Sequence, residues 1–444
     1  MVKHVIIEPE KLEDLRQSGC SIYKVPHNLR KVNWGAYTPQ WISIGPIHFS
    51  KKKDLKPMQK HKKWYFHLFW ERVSDKQIME TYKRYLDAKE KNIRKHYAEE
   101  FLHISKEIFV EMMLLDAVFI MELLLRNSSR KSESSSKHCD DHDLILTHSW
   151  LSRSISRDLI LLENQIPFCV LQKLYEVVVP CECKKNEHTG FVDLAIEYFA
   201  SNDTLMPFSS ENNTKKPYVY NKNPKHFTDL IRCFYLPAER ESGVANHVPR
   251  TATKLQESGV SFEKGEKGPL LEVTFKKTPF LSLIFCVGCL PYMKRFKARC
   301  VIPQLKVDHT TECVLRNLIA FEQCHYQEKP YICNYVSLID SLIHTKDDVE
   351  MLVEKEVIVH ELGSDKEVAT LVNGLCKHVV TNSTCYKETI DKLNNHYTSK
   401  WNHTVAALGL VYFRDLWRAS STVVGIAVLV FAVFQFLRVM RVLF

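Results

Sequence analysis

The side chains best placed to do chemistry are carboxylates in apolar surroundings: Asp116 and Glu122 in MLLDAVFIMELLL, and Asp158 and Glu163 in RDLILLENQIPF. Desolvation raises the pKa of such a carboxyl, which is what a general acid needs at neutral pH. Spacing argues against cooperating pairs. At 100° per residue, the two offsets turn the side chains about 240° and 140° apart, so neither pair shares a helix face. The simpler reading is that each carboxylate pairs with an arginine or caps a neighbouring helix. Thiols and imidazoles offer less. Cys181 and Cys183, with His188, would make only part of a zinc site, since a second close pair at matching spacing is missing, and free buried thiols are the simpler reading. Cys286 and Cys289 form a CxxC inside an apolar run, away from the strand-to-helix turn that redox chemistry uses. His325 follows Cys324 in FEQCHY with no orienting partner nearby in the sequence. The chain also lacks a Walker A loop, GxGxxG, a GxSxG elbow, HExxH and an EF-hand. The expectation is therefore no catalytic, cofactor-binding or metal-binding residue, with isolated carboxylates in a helical cleft as the enzymatic alternative.

Stepping to the elements, the chain has 444 residues, 45% hydrophobic and 25% charged, enough for a sizeable core. Its 13 glycines are about 3% of the chain, against a usual value of about 7%, which favours helices over loop-rich folds. Helical spacing covers 54–73, 75–97 and 108–125, the last apolar nearly all round. Residues 157–179 give two helical pieces broken at Pro167. Polar loops fall near 127–143 and 201–224. Alternation at 260–262, 271–275 and 304–307 predicts about three short strands, the first two joined as a hairpin through Gly265 and Gly268. Helical spacing resumes from Thr310 to Phe413, with starts at Thr310, Thr345, Ser364 and Thr384.

The formal charge of +9 is mostly scattered, with one dense run, Lys51, Lys52, Lys53, Lys56, Lys60, Lys62 and Lys63, interleaved with Trp64, Tyr65 and Phe66. A solvated helix start explains it, with an anionic surface as the sharper alternative. No RNA-recognition, zinc-finger or basic-zipper signature is present, so nucleic acid is not an expected partner. Residues 419–437 carry no charge, and 19 residues at about 1.5 Å each span roughly 28 Å. This predicts one C-terminal membrane anchor over 416–440, with Ala419, Val424, Ile426, Leu429, Phe431, Phe434 and Leu437 facing lipid and 441–444 as a short tail. The first residues hold no apolar stretch of secretory length. The expected location is a plasma membrane or endomembrane. Arginines on both flanks leave orientation open, and five sequons, at Asn127, Asn202, Asn212, Asn382 and Asn402, point to the lumenal side.

The blocks VPHNLRKVNWGAYTPQWISIGPIHF (25–49), LLDAVFIMELLL (114–125), RDLILLENQIPFCVL (157–171), ATKLQESGVSF (252–262), IPQLKVDHTTECVLRNLIAFEQC (302–324) and YVSLIDSLIHTKDDVEML (335–352) resemble, in order, those of the plant domain of unknown function 247 family. Asp116, Glu122, Asp158, Glu163, Asn164, Gln165, Pro167, Asn317 and Glu322 lie in those blocks as signature residues without an assigned chemical role. Two departures stand out: Ala117 and Val118 after Asp116, and an apolar insertion over 278–301, either a loop specific to this chain or translated intron. The resemblance implies a membrane-tethered recognition protein that binds a protein or peptide, since some grass relatives are linked to gametophytic self-incompatibility. The whole reads as mainly α: a multi-helix domain over 1–415 with a small β element of about three short strands, then one transmembrane helix.

Overall fold

The structure is a computed structural model and describes residues 19–49, 55–73, 75–132, 143–182, 190–200, 223–236, 242–244, 250–265, 269–277, 298–404, 407 and 416–443. The chain is mainly helical. In order it forms α1 (His27–Val32), a 3-10 turn (Trp34–Tyr37), α2 (Lys56–Val73), α3 (Lys76–Arg94), α4 (Lys106–Ser132), α5 (Leu144–Thr147), α6 (Ser149–Leu159), α7 (Phe168–Glu182), α8 (Phe191–Phe199), α9 (Phe227–Tyr235) and α10 (Ala252–Glu257). Strands β1 (Val260–Lys264), β2 (Thr274–Lys276), β3 (Ala298–Ile302) and β4 (Leu305–Val307) follow, then α11 (Thr311–His325), α12 (Tyr331–Leu342), α13 (Lys346–Glu354), β5 (Ile358–His360), α14 (Asp365–Leu375), α15 (Lys387–Thr398) and α16 (Leu416–Leu443).

The helix expected at the centre is there. From Phe109 to Leu125, α4 is buried almost all round, and Ala117 and Val118 are fully enclosed, so small and medium apolar residues at those positions suit close packing. Helices α2, α3, α7 and α8 surround it. Asp75 caps α3 by accepting from the Gln77 N–H at 2.8 Å, satisfying one of the free donors of a helix start. The proposed break at Pro167 is a turn between α6 and α7, because proline has no N–H to continue the ladder. A second group gathers around α11, which meets α9, α12, α14 and the 3-10 turn.

Three expectations need correction. The hairpin does not form: β1 and β2 flank β3, parallel to β1 and antiparallel to β2. Leu270, Leu271 and Val273, which follow β1, are buried in the core rather than extended along it, and Ala298–Val301, assigned above to the insertion, supply the central strand. With the β4–β5 pair this makes five short strands among the described residues. The polar loop starts later than expected, since α4 continues through Asn127 to Ser132.

The membrane anchor is also corrected. Among the described residues, no helix is long and apolar enough to cross a membrane. Ala419, Val424, Ile426, Leu429, Phe431, Phe434 and Leu437 do lie on one continuous helix, α16, but Ser420, Ser421, Thr422 and Gln435 break its apolar run. The strictly apolar stretch, 423–434, spans about 18 Å at 1.5 Å per residue, short of a hydrocarbon layer of roughly 30 Å.

Candidate interaction surface

Residues 20–49 hold little regular structure, yet Ile22, Val25, Ile42 and Ile44 are buried. A buried strap without a strand partner must find hydrogen-bond partners for its backbone elsewhere, and the signature residues supply them. Asp158, at the end of α6, accepts from the N–H groups of Gln40, Trp41 and Ile42 at 3.0, 2.6 and 2.9 Å. Asn164 accepts from Ile44 N–H at 2.7 Å and donates to Ile42 C=O at 3.0 Å. Asp116 accepts from Gly45 N–H at 2.7 Å. Glu163 accepts from Val25 N–H at 2.7 Å and pairs with Arg30, with His48 Nε2 at 3.3 Å from its second oxygen. Asn317, on α11, accepts from Leu162 N–H at 3.0 Å and donates to Ala36 C=O at 2.7 Å.

Gln165 works on the turn instead: its amide donates to Leu159 and Leu161 carbonyls at 2.6 and 2.7 Å and its oxygen accepts from Phe227 N–H at 3.0 Å. Its own carbonyl lies so close to Gly45 that a Cβ there would be 2.4 Å away, and Gly45 has φ of +72°. Both facts require glycine at this position. Glu322 pairs with Arg232 and accepts from Ile332 and Cys333 N–H at 2.8 and 2.9 Å. Glu122 pairs with Arg72 and Arg126 at 2.5 and 2.6 Å.

The carboxylates thus diverge as helical spacing predicts, Asp116 towards the strap and Glu122 towards two arginines. Their environments differ too. Burial pushes Asp158 up, only partly offset by its three N–H donors. Burial also pushes Glu163 up, but His48 and Arg30 outweigh it and leave the carboxyl below its ordinary range. Glu322 stays above its ordinary range, because full burial exceeds what Arg232 returns.

Two residues of the basic and aromatic run turn inward. Lys62 is buried and donates to both Asp116 and Ser43 C=O, so this lysine closes a buried ion pair under the strap, whose loss on one side only costs about 3–5 kcal/mol. Tyr65 donates to Asp143, at 2.8 Å to one of its oxygens. Lys51, Lys52 and Lys53 lie outside the described residues, as do Cys183 with His188, Cys286 with Cys289, and Asn202 and Asn212. Asn127 lies on α4 with its amide nitrogen buried, Asn402 donates to His396 C=O at 2.8 Å, and Asn382 is exposed. His325, which the sequence left without an orienting group, has one in Tyr23, whose hydroxyl lies 2.9 Å from Nδ1.

The strap exposes two large apolar side chains, Trp34 and Phe49, among polar neighbours such as Lys31 and Thr38. Trp34 is 55% exposed and Trp150, on α6, 54% exposed. Trp41 meets Trp150 edge to face at 5.2 Å between ring centroids. The Arg30 guanidinium sits 5.5 Å from the Trp34 ring and 5.7 Å from Tyr37, and Arg157 donates to Gly35 C=O at 3.0 Å. Residue composition alone did not single out these tryptophans. The signal available for two of them was their crowding into one short block, Trp34 to Trp41, with little else of helical or strand period; Trp150 carried none.

A helical body with a strap pinned by buried polar side chains defines a class by architecture. Sequence comparison gives the family. The chain belongs to the DUF247 family, described as plant protein of unknown function, which matches residues 22–431. It is 30% identical over 443 residues to the UPF0481 protein At3g47200 of Arabidopsis thaliana, covering 96% of this chain and 87% of that one. It is 24% identical over 504 residues to the UPF0481 protein At3g02645 of the same plant, covering 95% and 90%. No solved structure matches.

Proposed function

We propose that this chain is a non-catalytic recognition protein whose protein or peptide partner docks on the strap face around Trp34, Trp41 and Trp150. One observation carries the reading: the signature side chains Asp116, Asp158, Glu163, Asn164 and Asn317 direct their polar atoms to the strap backbone, and the strap turns tryptophan outward. An enzyme working through these carboxylates would need one carboxylate edge open to substrate. A recognition surface needs its backbone fixed and its aromatic side chains free, since tryptophan, tyrosine and arginine dominate the energetic centres of interfaces. Arg30 and His27, packed on the Trp34 ring, stiffen it, which lowers the entropy lost on docking.

The test places a photoreactive amino acid at exposed Thr38 in the full chain, expressed in its native plant tissue. A discrete cross-linked polypeptide is expected, and Trp34→Ala with Trp150→Ala is expected to reduce it at least tenfold with the circular dichroism unchanged. Cross-links of equal yield in the double variant would sink the proposal.

A further inference from the structure

The start of α7 brings a nucleophile and a base together in a way the strap does not use. Of the nine described free cysteines, Cys169 is the exposed one. Its sulfur lies 3.8 Å from Nε2 of His96, a residue on the turn after α3. The backbone of His96 is fixed: its C=O accepts from Ser21 and Ile22 N–H at 2.9 and 2.8 Å, and its N–H donates to Ile93 C=O at 3.2 Å. Its other ring nitrogen, Nδ1, is buried with no hydrogen-bond partner among the described residues. No second contact therefore locks the tautomer, and Nε2 is open to receive a proton from sulfur.

We propose that Cys169 is a base-assisted nucleophilic thiol, with His96 as its general base, and that it is a modification site for soft carbon electrophiles of the α,β-unsaturated carbonyl class. The sulfur attacks the β-carbon, so one S–C bond forms while the C=C π pair moves through the α-carbon onto the carbonyl oxygen. The thiol proton passes to His96 Nε2 and from there to the α-carbon, leaving a saturated thioether. Nothing is oxidised and no group leaves. The electrostatics suit a proton transfer during attack rather than a resting ion pair. Burial, with Lys225 nearby, holds the imidazole below its ordinary pKa, so it is in its base form at neutral pH. Desolvation leaves the thiol above its ordinary range, with N–H groups at the helix start and Lys225 offsetting only part, so the thiol needs a base to react at neutral pH.

The experiment treats the full-length chain with acrolein and, separately, iodoacetamide, and follows each cysteine by peptide mass spectrometry. Cys169 is expected to react at least tenfold faster than half-buried Cys20, Cys324 and Cys376 at pH 7.5. His96→Gln is expected to slow Cys169 about a hundredfold, the lower range of general-base effects, with the two rates converging at alkaline pH once the thiol ionises unaided. An equal slowing at every pH would mean that His96 acts through access and would overturn the proposal. Should His96→Gln fail to fold, the wild-type profile decides: a rate that falls as pH drops through the imidazole pKa supports base assistance, and a single inflection at 9 or above refutes it.

Discussion

His226 is a buried side chain whose ionisation this fold resists. It caps α9, with Nδ1 accepting from Asp229 N–H at 3.3 Å and Nε2 donating to Ser21 C=O at 2.9 Å. Both nitrogens are used by one neutral tautomer, and a proton on Nδ1 would face a backbone donor. Full burial drives the pKa down to about 4 from 6.5, with the Asp229 carboxylate offsetting only part. The unfolded chain takes up this proton below about pH 6.5, and the native chain does so only near pH 4. The stabilisation is thus complete above pH 6.5 and lost as pH falls toward 4, at about 1.4 kcal/mol per unit. By pH 5 the loss is about 2 kcal/mol. Urea unfolding at pH 7.5 and 5.0 checks it: wild type is expected to lose about 2 kcal/mol more than His226→Asn, which keeps a capping oxygen but cannot titrate. Equal losses in both would show that another group carries the acid sensitivity. Little of this was legible beforehand. A lone histidine before FTDL gives no hint that Ser21, some two hundred residues earlier, completes its hydrogen bonding.

At the scale of elements, the strap explains why the signature residues are polar yet buried. The central helix, the break at Pro167 and the cap at Asp75 could be read because helical period, proline and capping are local signals. Pinning was not readable, since Asp158 and Gln40 are 118 residues apart and the strap has no period of its own. The β element was misjudged for a related reason: the partner of β1 is parallel β3, and parallel pairing needs a crossover that no turn signal announces. Strap and body differ in what holds them, so they should separate under stress. Asp158→Asn swaps one acceptor oxygen for an N–H donor facing backbone donors, at a cost of about 2 kcal/mol. In hydrogen exchange, the amides of Gln40 to Ile42 should open roughly 30-fold faster while those of α4 between Phe109 and Leu125 stay protected. Parallel acceleration of both sets would show one cooperative unit and defeat the pinned-strap account.

At the scale of the molecule, core and periphery divide at the end of α15. Buried core residues run from Ile22 to Leu393, with Tyr397 packed against them, whereas the described side chains of α16 between Val424 and Val439 are exposed. Sequence made this helix visible as an uncharged run, but hydropathy averaged over 419–437 concealed the hydroxyls at its start and Gln435 near its end. Exposed apolar side chains on this scale promote association and add nothing to the packing of the body. A chain ended after Thr404 should therefore keep its unfolding midpoint within about 2 °C of the full chain, no more than about 1 kcal/mol would shift even a 150–250-residue domain. It should also stay monodisperse at concentrations where the full chain aggregates. Differential scanning calorimetry with light scattering on both chains makes the comparison. A midpoint lowered by 5 °C or more would mean that α16 packs on the body in solution, and the division drawn at α15 would be wrong.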